Sequence, residues 1–147
     1  MINAVLVTLF CRDLAKLKVE LESYKSETQI WKVVGGIANS AGNLCLHLVG
    51  NLDTYIGATL GNTGYVRDRD AEFALKDIPR SELIKRIDST IQTIQTVVPA
   101  IPEEQLKSEY PLLVLKEKTT TEYFLIHLAM HLSYHLGQIN YHRRLTA

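Results

Sequence analysis

Four of the five histidines fall in one stretch, "HLAMHLSYHLGQINYH", which holds His127, His131, His135 and His142. Imidazole binds divalent metals through nitrogen and exchanges protons near neutral pH, so this stretch is where chemistry is sought first. At about 100° per residue, His127, His131, His135, Gln138 and His142 share a helical sector about 80° wide. The adjoining sector carries Leu128, Leu132 and Ile139. The stripe therefore borders a buried face instead of lying opposite it. His131 and His135, at i and i+4, have the spacing by which a helix offers a metal two nitrogens. Two ligands do not complete a site. His47, in "GNLCLHLVGNLDTY", sits within a second polar stripe, Asn43, His47 and Asn51, spaced every four residues among leucines. Helical bundles build metal sites from facing helices, and His47 can supply the third ligand. Three imidazoles with one open position is the arrangement of a catalytic metal, and Asn43, Asn51 and Gln138 are amides of the kind that orient ligands or hold a water. The competing reading is ordinary core histidines bonded to carbonyls, and for His142, near a helix end, a complement to the helix dipole is favoured.

The elements that must carry these residues are helical. Leu6, Phe10, Leu14, Leu17, Leu21 and Tyr24 predict a first amphipathic helix. "GGIANSAG" interrupts the pattern and offers Asn39 or Ser40 as N-cap of a second helix running to about Thr59, with Gly61 and Gly64 beyond. The charge-dense stretch that follows, ending at Pro79, has no period and reads as a long loop. From Ser81, Leu83, Ile84, Ile87, Ile91, Ile94 and Val98 predict a third helix, stopped by Pro99 and Pro102. Leu112 to Leu115 reads as an extended segment covering one end of the core. Thr119 with Glu122 has the form of a capping box opening a fourth helix, from about Thr120 to Arg144. The expectation is one domain over residues 1–147, all-α, a four-helix bundle.

Composition narrows the partners. A chain of 147 residues, 46% hydrophobic and 22% charged, has the profile of a globular protein that needs no staples. Sixteen basic residues balance sixteen acidic ones, so no net field draws it to nucleic acid or an anionic membrane. The N-terminus reads as neither signal peptide nor anchor, and a cytoplasmic location is expected. Cys11 and Cys45 have no metal-binding or redox spacing and read as buried thiols. HExxH, GxSxG, Walker and dinucleotide fingerprints are absent, which argues against those peptidase, hydrolase and nucleotide-binding classes.

The run "HLSYHLGQI", His131 to Ile139, with a histidine on the second helix, resembles the HxxxHxGQ pattern of the DinB/YfiT-like family of four-helix-bundle metalloenzymes. "HLVGNL" from His47 and "RDRDAEF", Arg67 to Phe73, are similar to a branch of that family. The resemblance extends over almost the whole chain and implies a mononuclear metal triad at His47, His131 and His135. His127, one turn ahead of the motif, matches no ligand position. It reads as a group behind the ligands, as one facing substrate, or as an ordinary helical histidine. Zinc or nickel leads among the metals, with iron and manganese also suited to imidazole.

The resemblance further implies a homodimer and an activity toward a small molecule. The first expectation is transfer of a low-molecular-weight thiol, such as bacillithiol, to an electrophile. Alternatives are hydrolysis at the same metal, with His127 or Tyr134 assisting proton transfer, and a non-catalytic metal-stabilised homodimer. Arg67 and Arg69 either clamp a substrate carboxylate or pair with Asp68, Asp70 and Glu72, and alternating charges favour the second.

Overall fold

In the computed structural model, which describes residues 1–147, the first apolar stripe forms helix α1 (Ile2–Glu22). Leu6, Phe10, Leu14, Leu17 and Leu21 are buried along its length, and Tyr24 is buried just past its end. A short α2 (Glu27–Ile30), opened by a Ser26/Gln29 capping box, carries Ile30 and Trp31 onto the core. Helix α3 (Ala41–Leu52) starts at Ser40, whose hydroxyl accepts the Asn43 N–H, so Ser40 and not Asn39 is the cap. Every residue of α3 is buried. That burial makes α3 the central element and obliges its polar residues to find partners.

Helix α3 continues through a π-helical turn (Asp53–Ala58) into α4 (Thr59–Gly61). Asn62, left-handed at φ 51°, ends it, where the glycines were expected to do so. The long loop expected before Pro79 is not wholly a loop. It contains α5 (Arg69–Ala74), capped by the Asp68 carboxylate, which accepts the Ala71 N–H. Six residues are too few to show a hydrophobic period, and the cap together with tertiary contacts stabilises them. Asn43 makes the principal contact: its Nδ2 donates to the Glu72 and Leu75 carbonyls at 2.9 and 2.8 Å.

Helix α6 (Arg80–Val97) buries Leu83, Ile87, Thr90 and Ile94, then tightens into a 3₁₀ turn at Val98–Ala100. A further short helix, α7 (Glu103–Lys107), was not legible as a period either. The run Leu112–Leu115 does not cover the core: Leu112, Leu113 and Val114 are exposed, and only Leu115 packs inward. Tyr110 takes that place. It is fully buried against Phe124, and its hydroxyl donates to the Tyr55 carbonyl of the π turn at 2.6 Å.

Helix α8 (Thr121–Thr146) is capped by Thr120, whose hydroxyl accepts the Tyr123 N–H, and not by the expected Thr119–Glu122 box. The Thr119 carbonyl accepts the Tyr110 N–H at 2.8 Å beside an isolated bridge between Glu109 and Thr120. This pairing holds Thr119 outside the helix and shifts its start by one residue. The protein is all-helical, with no strand. Helix α1 packs on α6 and α8, α3 packs on the same two, and one continuous apolar cluster lies between them. No helix is long and apolar enough to cross a membrane. Both cysteines are free thiols, Cys45 buried and Cys11 partly so.

Candidate metal centre

Helices α3 and α8 bring His47, His131 and His135 together, with one ligand atom from each within 4.8 Å of the others. The Nε2 atoms of His47 and His131 are 3.3 Å apart. The His135 ring centroid lies 4.6 Å from that of His131 and 5.4 Å from that of His47. Two nitrogens bound to one tetrahedral ion at about 2.0–2.1 Å are themselves separated by about 3.3 Å, the spacing of the first pair.

The hydrogen bonds on the far side of the rings decide which nitrogens are available. His47 Nδ1 lies 3.1 Å from Glu72 Oε1, and a carboxylate only accepts, so Nδ1 carries the hydrogen and Nε2 keeps its lone pair. His135 Nδ1 likewise donates to Gln138 Oε1 at 2.7 Å, which frees its Nε2. A carboxylate or amide behind a ligating imidazole sets tautomer and ring angle in metal sites. His131 supplies the test of fit. Its Nδ1 is buried without a partner, while its Nε2 faces the lone pair of His47. With the hydrogen on Nδ1, His131 Nε2 sets a second lone pair against that of His47. A cation among the rings accepts a lone pair from each, so these residues fit a divalent metal.

Electrostatics point the same way. Burial, assisted by the other histidines and Arg67, pushes His131 down to about 4. Burial also lowers His135 against the opposing effect of its bond to Gln138. Both are neutral at pH 7, the form that ligates. For Glu72, burial works to raise the carboxyl, but hydrogen bonds from His47 and Arg67 outweigh it and hold the group ionised.

Glu72 is the residue that sequence reasoning missed. It was read only as a local partner for arginine, yet it is buried behind His47 and bound by Arg67 through Nε at 2.8 Å and Nη2 at 3.0 Å. Gly50 leaves the room for it, since a Cβ there would collide with the Glu72 carboxylate. The overlooked signal was Asp68 ahead of "RDAEFA", a helix cap followed by good helix formers. Arg67 is therefore engaged as the structural reading of that stretch expected, though with Glu72 alone, and its guanidinium also lies over the Tyr55 ring. Arg69 has no carboxylate partner and lies over Phe73.

The other expected residues divide by position. Gln138 is behind His135, accepting from its Nδ1. Asn43 is one step further out, holding α5 in place and with it Glu72. Asn51 is buried with its Oδ1 unpartnered and lines a polar cleft of about 430 Å³ with His47, Arg69, His127 and His131. His127 faces that cleft, its ring stacked between those of Phe124 and His131. A second crevice of about 370 Å³ adjoins His135 and Gln138 and is walled mainly by Val34, Ile37, Leu44 and Leu145. His142 takes no part in the centre, because both of its nitrogens are bonded elsewhere.

The family model described as "Protein of unknown function (DUF1572)" matches residues 13–146. The match spans nearly the whole chain, which belongs to that family. No curated protein matches the sequence.

Proposed function

We propose that this chain is a metal-dependent enzyme built as a DinB-like four-helix bundle, transferring a low-molecular-weight thiol to an electrophilic small molecule. The observation that carries the metal-dependent reading is the holding of His47 and His135 through Nδ1 by Glu72 and Gln138, which leaves both Nε2 lone pairs free within a cluster whose ligand atoms lie within 4.8 Å of one another. When bound, a divalent metal with an open position lowers the pKa of a thiol there and provides a nucleophile at neutral pH.

The protein's own groups supply the rest. In this reading Arg69, which has no carboxylate partner and lines the polar cleft, receives an acidic group of the thiol, and His127 in the same cleft takes up its proton. The crevice on the His135 side, walled mainly by apolar side chains, receives an apolar electrophile. Two clefts of opposite polarity flanking one centre favour a two-substrate transfer over hydrolysis, which requires only one. In the transfer, the sulfur bonds to the electrophilic carbon and the leaving group departs with the electron pair.

The test is metal content per chain of untagged protein reconstituted with zinc, nickel, iron or manganese, wild type beside His47→Ala and His131→Ala. About one ion per chain, lost in both variants, is expected. Loaded protein is then assayed with thiols and electrophiles, where Arg69→Ala should raise the KM for acidic thiols. Absence of metal after reconstitution overturns the reading.

A further inference from the structure

Two buried polar atoms beside the histidine cluster are left without a partner. Nδ1 of His131 and Oδ1 of Asn51 are both closed off from solvent and bonded to nothing. Both residues line the polar cleft, His131 from α8 and Asn51 from α3, one turn beyond His47. Unpaired polar atoms in an interior are costly, so two in one cleft call for a physical reason.

The tautomer of His131 supplies it. His47 gives its Nδ1 hydrogen to Glu72 and presents a bare Nε2, so the bond to His131 Nε2 at 3.3 Å requires a hydrogen on the latter. His131 Nδ1 is then bare. A bare ring nitrogen and an amide oxygen are both acceptors, and neither can satisfy the other. Ligation through Nε2 needs the opposite tautomer, with Nε2 bare and the hydrogen on Nδ1. In that state Nδ1 is a donor in search of an acceptor. Among the cleft's polar side chains Arg67 and Arg69 only donate, and His47 is committed to Glu72. Asn51 Oδ1 is the acceptor that stands buried and unused.

We propose that Asn51 is the positioning residue of His131, its carbonyl accepting the Nδ1 hydrogen in the metal-loaded protein. The ring loses its Nε2 hydrogen to water and takes one from water at Nδ1, with no change in charge. All three imidazoles are then held from behind: His47 by Glu72, His135 by Gln138 and His131 by Asn51. This role rests on the metal-dependent reading above and adds to it a residue and a change of tautomer.

Proton–nitrogen correlation spectra of the full chain with nitrogen-labelled histidine, before and after loading with zinc, read the tautomer. The His131 hydrogen should be on Nε2 without metal and on Nδ1 with it. Chelator competition and denaturant melts on wild type, Asn51→Leu and Asn51→Asp read the consequence. Asn51→Leu, with the same branching and no acceptor, should weaken zinc binding about tenfold. Its metal-free form should melt no lower than wild type, because an unsatisfied acceptor has been removed. Asn51→Asp keeps an acceptor and should bind zinc at least as tightly as wild type. A hydrogen that stays on Nε2 in loaded protein, or one already on Nδ1 without metal, overturns the role of Asn51 and leaves the metal site standing. So does an Asn51→Leu protein with wild-type affinity. Wild type that binds no zinc overturns the role together with the reading beneath it.

Discussion

His131 and His142 lie on the same helix, in the same stripe, three turns apart, yet the protein treats them in opposite ways. His142 is buried with both nitrogens satisfied: Nδ1 meets the Tyr24 hydroxyl at 2.6 Å and Nε2 the Lys32 carbonyl at 2.7 Å. It ties the end of α8 to the segment after α1. His131 has no partner at Nδ1 and another imidazole at Nε2. The difference separates a structural histidine from one left open for a ligand. Burial also differs, His142 being buried and His131 half-buried, but it does not say which nitrogens are free. What distinguishes them is whether the hydrogen-bond inventory closes within the chain.

That contrast can be broken first at its structural end. His142→Ala strands the Lys32 carbonyl and leaves the Tyr24 hydroxyl only its long bond to the Ile139 carbonyl, and should lower unfolding free energy by about 3 kcal/mol, with metal content per chain unchanged. Denaturant melts beside elemental analysis read both quantities, and loss of metal without loss of stability would reverse the assignment. Next come the groups behind the ligands. Glu72→Ala should weaken metal binding about 100-fold and also destabilise the fold, because Arg67 loses its carboxylate, while Gln138→Ala should weaken binding about tenfold with little change in melting. Chelator competition measures the affinities, and equal affinities in all three proteins would remove the orienting role.

A further effect is in pH. With His131 held at about 4, the unfolded chain binds a proton near its ordinary pKa that the folded chain refuses. Metal-free protein should therefore be fully stable above pH about 6.5, lose stability as pH falls toward about 4, and level off below. His131→Asn should flatten that slope in thermal melts. Identical slopes would show that His131 is not the depressed group.

The sequence was legible where a pattern repeats or a spacing is local. Apolar periods marked α1 and α6, break and capping residues bounded α3 and α8, the i, i+4 histidines named two of the three imidazoles that could hold a metal, and the Asn43, His47, Asn51 stripe pointed to the third. Short elements were not legible, since α5 and α7 are too brief to show a period. Nor was the start of α8, where pairing of Tyr110 with Thr119 overrode a local capping pattern.

By itself, then, the sequence determined a helical chain with imidazoles gathered on one face of one helix, because helix periodicity is a property of neighbouring residues. Tertiary structure alone decided which imidazoles meet and which are spent. Whether Nδ1 of His47 finds Glu72, or Nδ1 of His142 finds Tyr24, depends on side chains 25 and 118 residues away. Hydrogen bonds are satisfied across packed elements, and no local spacing encodes that closure.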